Sequence, residues 1–78
     1  MRMVTVTALH NHPPSSMVDM ECRALFDKVP DSKFIGSGVL MVGPQAGTRD
    51  IEYQIPDHAY AGLVDKLQEA GYRWTSME

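Results

Sequence analysis

The segment Ser15-Ser16-Met17-Val18-Asp19-Met20-Glu21-Cys22-Arg23-Ala24-Leu25-Phe26-Asp27-Lys28-Val29 decides the fold of this chain, because its pattern reads two ways. As a helix, Ser16 and Asp19 have the spacing of a capping box, although the box prefers Glu or Gln at its last position. Val18, Cys22, Leu25 and Val29 then share one stripe, and Met, Glu, Arg, Ala and Leu are good helix formers. As a strand, Val18, Met20, Cys22, Ala24 and Phe26 are apolar at period two, with Asp19, Glu21, Arg23 and Asp27 between them. Leu25 alone breaks that alternation. Cap and propensity agree, so the segment is read as a helix.

The flanking segments are less ambiguous. Upstream, Arg2–Leu9 reads as a strand with Val4, Val6 and Ala8 on one face and Met3, Thr5, Thr7 and Leu9 on the other. His10-Asn11-His12-Pro13-Pro14 ends it, since two prolines cannot sit inside a ladder. Downstream, Pro30-Asp31-Ser32 is a turn. Lys33 to Val42 follows as a strand. Gly36 and Gly38 suggest a bulge or a close backbone approach. Val39-Leu40-Met41-Val42 is apolar on both faces, as expected of a central strand. Gly43–Gly47 forms a hairpin loop.

The last third is regular. Ile51, Tyr53 and Ile55 alternate with Asp50, Glu52 and Gln54 in a half-buried strand, Thr48–Ile55. Pro56 stops the ladder and Asp57 is a candidate N-cap. Tyr60, Leu63, Val64 and Leu67 recur at helical spacing. Gly71 ends that helix in the left-handed conformation, and Tyr72–Met77 is a final strand. The order β–α–β–β–α–β predicts an α+β domain with two helices on one face of a four-stranded antiparallel sheet, the ferredoxin-like plan. A strand at Ser16–Val29 would give instead a four-stranded meander plus one helix. In element order the layout is similar to that of small ligand-sensing regulatory modules such as ACT domains.

Seventy-eight residues make one domain, 1–78, with 44% hydrophobic and 22% charged residues. A domain of this size buries only about 60% of its unfolded surface. One cysteine excludes an internal disulfide, so a partner or a second copy is expected to add stability. The net charge of −3 and seven scattered basic residues, none adjacent, argue against nucleic acid. No apolar run is long enough to span a bilayer. No stretch resembles a signal peptide, and with a lone thiol this points to the cytoplasm.

The candidate chemistry is thin. His10-x-His12 could begin a metal site, with Cys22 and His58 as the other soft donors, but no ligand spacing joins them. Cys22 lies on the apolar stripe and reads as a buried hydrophobe rather than a nucleophile. Gly36-Ser37-Gly38 leads into a strand, where a phosphate loop leads into a helix. Asp50 and Glu52 share a polar sheet face, with no apolar setting to split their roles as acid and base. His58 stands at a first turn that demands no function. Six methionines are read mainly as core filling. The expectation is therefore no catalytic, cofactor or metal site. A small non-enzymatic regulator or inhibitor is expected, acting by protein–protein contact as a homodimer or on a protein partner, of the kind a phage or mobile element encodes. Tyr72, Trp74 and Met77, on a short strand without lysine or proline, are the expected interface. The alternative is an ACT-like small-molecule sensor with its ligand around Leu9–Ser16.

Overall fold

The computed structural model describes residues 2–40, 43 and 46–77. The elements are β1 (Met3–His10), α1 (Met17–Asp27), β2 (Lys33–Val39), β3 (Arg49–Pro56), a 3-10 turn (Asp57–Ala59), α2 (Tyr60–Glu69) and β4 (Arg73–Met77). The strands form one antiparallel sheet in the order β2-β3-β1-β4. This is the expected ferredoxin-like α+β arrangement.

The segment that reads two ways is a helix, and its cap explains why. Ser16 Oγ accepts the backbone N–H of Asp19 at 3.1 Å, and Asp19 Oδ2 accepts the N–H of Ser15 at 3.3 Å. The box thus closes one residue further back than the usual form. Its buried stripe is Asp19, Cys22 and Phe26. The expected stripe of Val18, Cys22, Leu25 and Val29 is rotated accordingly, because Phe26 stacks on Tyr53 with ring centres 4.5 Å apart. Val18, Leu25 and Val29 are half-buried at its margin.

Both helices cover one face. Cys22, Phe26, Leu63 and Leu67 pack on Val4, Val6, Ala8, Ile51, Tyr53 and Ile55. The opposite face carries Thr5, Thr7, Asp50, Glu52, Gln54 and Arg73, set by the register Thr5–Gln54, Thr7–Glu52 and Leu9–Arg73. It is polar enough to face water, as one face of an antiparallel sheet can.

Four expectations are corrected. β2 is an edge strand ending at Val39, not a central strand running to Val42. Leu40 is already exposed, while Met41 and Val42, with Pro44 and Gln45 of the loop, lie outside the described residues. Asp57 does not cap α2. The chain first makes the 3-10 turn, neither that turn nor α2 has a side-chain cap at its start, and Asp57 instead donates its N–H to the Arg2 carbonyl at 2.8 Å. Among the described residues no methionine is a core residue: Met3 is half-buried, and Met17, Met20 and Met77 are 76%, 63% and 74% exposed, on the outer surface of α1 and on an edge strand. His10 is no loop residue. It is the last, buried residue of β1.

The glycines at two sites meet their reading. The register of β2 slips between Phe34 and Gly36, so Ile35 bulges. A Cβ on Gly38 would lie 3.3 Å from Asp50 Oδ1. Gly71 has φ +88, and the N–H groups of Gly71 and Tyr72 bond the carbonyls of Gln68 and Leu67. This is the double hydrogen bond of a Schellman motif.

Candidate functional site

One end of the sheet gathers the polar residues that the core does not expose. His10 continues the inward parity of Val4, Val6 and Ala8 to the end of β1. Arg49 begins β3 at the inward parity of Ile51, Tyr53 and Ile55, and lies directly across from His10. Asp19, on the inner stripe of α1, sits above both. The three are 7%, 8% and 2% exposed respectively.

Asp19 Oδ1 accepts from His10 Nε2 at 3.0 Å and from Arg49 Nε at 2.5 Å. Its Oδ2 accepts from Arg49 Nη2 at 3.5 Å and from the Ser15 N–H. Arg49 Nη2 also donates to Ser37 Oγ at 3.3 Å. The His12 N–H donates to His10 Nδ1 at 3.1 Å, so Nδ1 carries the lone pair and Nε2 the proton. Burial pushes the Asp19 carboxyl up. The bonds from Arg49, His10 and Ser15 and the guanidinium charge outweigh that, holding it below the usual carboxylate value. Among the described residues no buried side-chain nitrogen or oxygen lacks a partner.

This network ties β1, α1, β2 and β3 together at one end. Both His10 nitrogens and both Asp19 oxygens are engaged, so the cluster offers neither a free base nor an acid to a substrate.

Beside it opens a cleft of about 360 Å³, between the end of β1, the first turns of α1 and the α2–β4 turn. The His10 and Tyr72 rings, 6.2 Å apart and tilted 57°, form its floor. Tyr72 is fixed by its hydroxyl, which donates to the Val18 carbonyl at 3.0 Å. Burial raises the Tyr72 phenol, helped by Cys22, Glu21 and Asp19. The rim carries His12, Glu21 and Arg73.

The residues singled out in the sequence are dispersed. His58 is exposed after β3, at the other end of the sheet from His10. Cys22 is buried, its thiol pushed up to about 12 by burial and then by the Asp19 charge. Among the described residues no three His, Cys, Asp or Glu side chains gather to hold a metal ion. Tyr72 lines the cleft. Trp74, half-buried, meets Tyr60 edge-on at 5.9 Å, and the Tyr60 hydroxyl shares a 2.8 Å hydrogen bond with Ser76 Oγ. Met77 is exposed. Asp19 was read in the sequence only as part of a helix cap and Arg49 drew no reading, although a signal was present: Arg49 stands at core parity in its strand, and Asp19 lies three residues before Cys22.

Compared with protein families, with curated proteins and with solved structures, the chain matches none. No helix among the described residues is long and apolar enough to cross a membrane.

Proposed function

We propose that the chain is a non-enzymatic regulatory or inhibitory module that binds a protein partner, or a second copy of itself, by strand addition along β4. The observation that carries this reading is the contrast between the two sheet edges. β2 is blunted by a bulge at Ile35, by Gly36 and Gly38 and by Lys33, devices that discourage pairing. β4 has none of these. Its five residues Arg73–Met77 pair only with β1 and contain no lysine, proline or bulge. Its underside is braced by Tyr60 against Trp74 and Ser76, so the edge is held in strand geometry before a partner arrives. An incoming strand gains main-chain hydrogen bonds there, with Trp74 and Met77 as apolar anchors.

Light scattering is expected to show more than one monomer mass, or a native partner to protect residues 73–77 from amide exchange. Thr75→Lys, on the open face, is expected to abolish the association while leaving circular dichroism unchanged. A monomer whose Trp74→Ala and Thr75→Lys variants keep every partner interaction overturns the reading.

A further inference from the structure

We propose that the cleft beside His10 binds a small methylated ammonium ion, of the quaternary-amine class, against the rings of His10, His12 and Tyr72, with Glu21 as its counter-charge. The site uses neither the outer edge of β4 nor any side chain on the far face of the sheet, so it stands apart from the strand-addition reading.

Three observations carry it. The first is a row of three rings. The His10 ring centre lies 6.0 Å from that of His12, tilted by 47°, and 6.2 Å from that of Tyr72, tilted by 57°. All three residues line one cleft of about 360 Å³, near the lower end of small-molecule sites. An aromatic face attracts a cation that lies within about 6 Å of the ring centre. Rings at this spacing share one ion between neighbours. The two inner rings are held by their edges: His10 by Asp19 and by the His12 N–H, and Tyr72 through its hydroxyl to the Val18 carbonyl. What they have left to offer a ligand is their faces.

The second is the sign of the field. Glu21 lines the same cleft and makes no hydrogen bond or ion pair with any described residue. Burial raises the Tyr72 phenol, and the Glu21 charge is among those that raise it further, so this carboxylate acts at the ring. The last turn of α2 leads into Ala70 and Gly71 on the cleft wall, and the carbonyl end of a helix favours a cation. The opposing end of α1 is already capped by Ser16 and Asp19. Arg73 sets no positive charge over the rings. It pairs with Leu9 across the β1–β4 ladder, and its side chain leaves on the other face of the sheet.

The third is what ring faces select. A primary ammonium carries three N–H donors, and a ring face gives them no lone pairs, so desolvating them there is costly. A methylated ammonium keeps the positive charge and replaces those donors with methyl groups, which bury well against the rings. Glu21 then needs only to lie near the charge, without a hydrogen bond.

Amide NMR titration of the full chain tests this with four probes: choline, tetramethylammonium, ammonium, and the uncharged isostere of choline in which carbon replaces nitrogen. Choline and tetramethylammonium are expected to give saturable shifts at His12, Glu21, Gly71 and Tyr72. Ammonium and the isostere are expected to bind at least about tenfold more weakly, one decade in Kd. Glu21→Gln and His12→Ala should each weaken choline binding about threefold, the scale of one exposed cation contact. Both side chains are exposed, so the fold is kept, and an unchanged spectrum elsewhere verifies it. Tyr72→Phe, which keeps the ring and loses only the bond to Val18, should still bind. The isostere binding as well as choline, or no saturable shift by about 10 mM probe, beyond the millimolar affinity range, overturns the proposal. So does choline binding that neither Glu21→Gln nor His12→Ala weakens, or a shift pattern centred on residues 74–77, which would place the probe on the strand edge instead.

Discussion

At Asp19 a single carboxylate holds two basic side chains and one backbone N–H in a place with almost no water. Breaking a buried pair by removing one partner leaves an unpaired charge, which costs about 3–5 kcal/mol. Asp19→Asn, which strips the counter-charge from Arg49, is expected to lower the unfolding free energy obtained from urea denaturation by that order. The pH dependence follows from the lowered carboxyl. The unfolded chain takes up this proton first, near its ordinary value of 3.8, while the folded chain resists it. The contribution is therefore present above that value and lost as pH falls through the lower folded one. Wild-type stability should drop as pH is taken below about 4, with a steeper slope than that of Asp19→Asn. Cys22 gives a second residue-level expectation. With its thiol pushed up to about 12 and its side chain buried, thiolate is scarce at neutral pH. A chromogenic disulfide reagent should react only as the protein opens, and urea should accelerate it; rapid labelling of the native protein would refute the burial. Cys22 was legible as an inert core residue from its stripe. The Asp19–His10–Arg49 network was not read, because Asp19 and His10 each had a local explanation, as a cap and as part of the segment that ends a strand, and Arg49 drew no reading.

At the scale of elements, α2 is the simplest to read and α1 the most instructive. Leu63 and Leu67 of α2 are buried as their spacing requires. Leu67→Ala should destabilise by about 2–4 kcal/mol, a large share of the roughly 5–15 kcal/mol available to a small domain. Thermal melting that leaves this variant unchanged would show the stripe misplaced. In α1 the period alone could not choose, since Cys22 and Phe26 suit both a helix and a strand. The cap chose: the Ser16 hydroxyl holds the Asp19 N–H. Ser16→Ala should destabilise by about 1 kcal/mol, less than Leu67→Ala in the same denaturation series. β2 failed for the opposite reason. An apolar run on both faces signals a central strand only if both faces are covered. Here the strand, β2, lies at an edge, where Phe34 and Ile35 remain exposed, as does Leu40 just past its end, and nothing local in the sequence records which strands flank it.

For the whole molecule, strand order has a mechanical consequence. β1 and β4 are antiparallel neighbours, with Thr5 opposite Met77 at one end of their ladder and Leu9 opposite Arg73 at the other. Tension applied between residues 2 and 77 enters at the Thr5–Met77 end and loads the inter-strand bonds one after another, like opening a zip. Tension between His12 and Met77 pulls the same two strands along their length and loads the bonds together. Optical-tweezer handles at the first pair should detach β4 at clearly lower force than handles at the second, and equal forces would contradict this pairing. A β4 that peels first takes Trp74 off Tyr60, so a modest pull on the chain ends would strip one side of α2 while β1, β3 and the Asp19 clamp still hold.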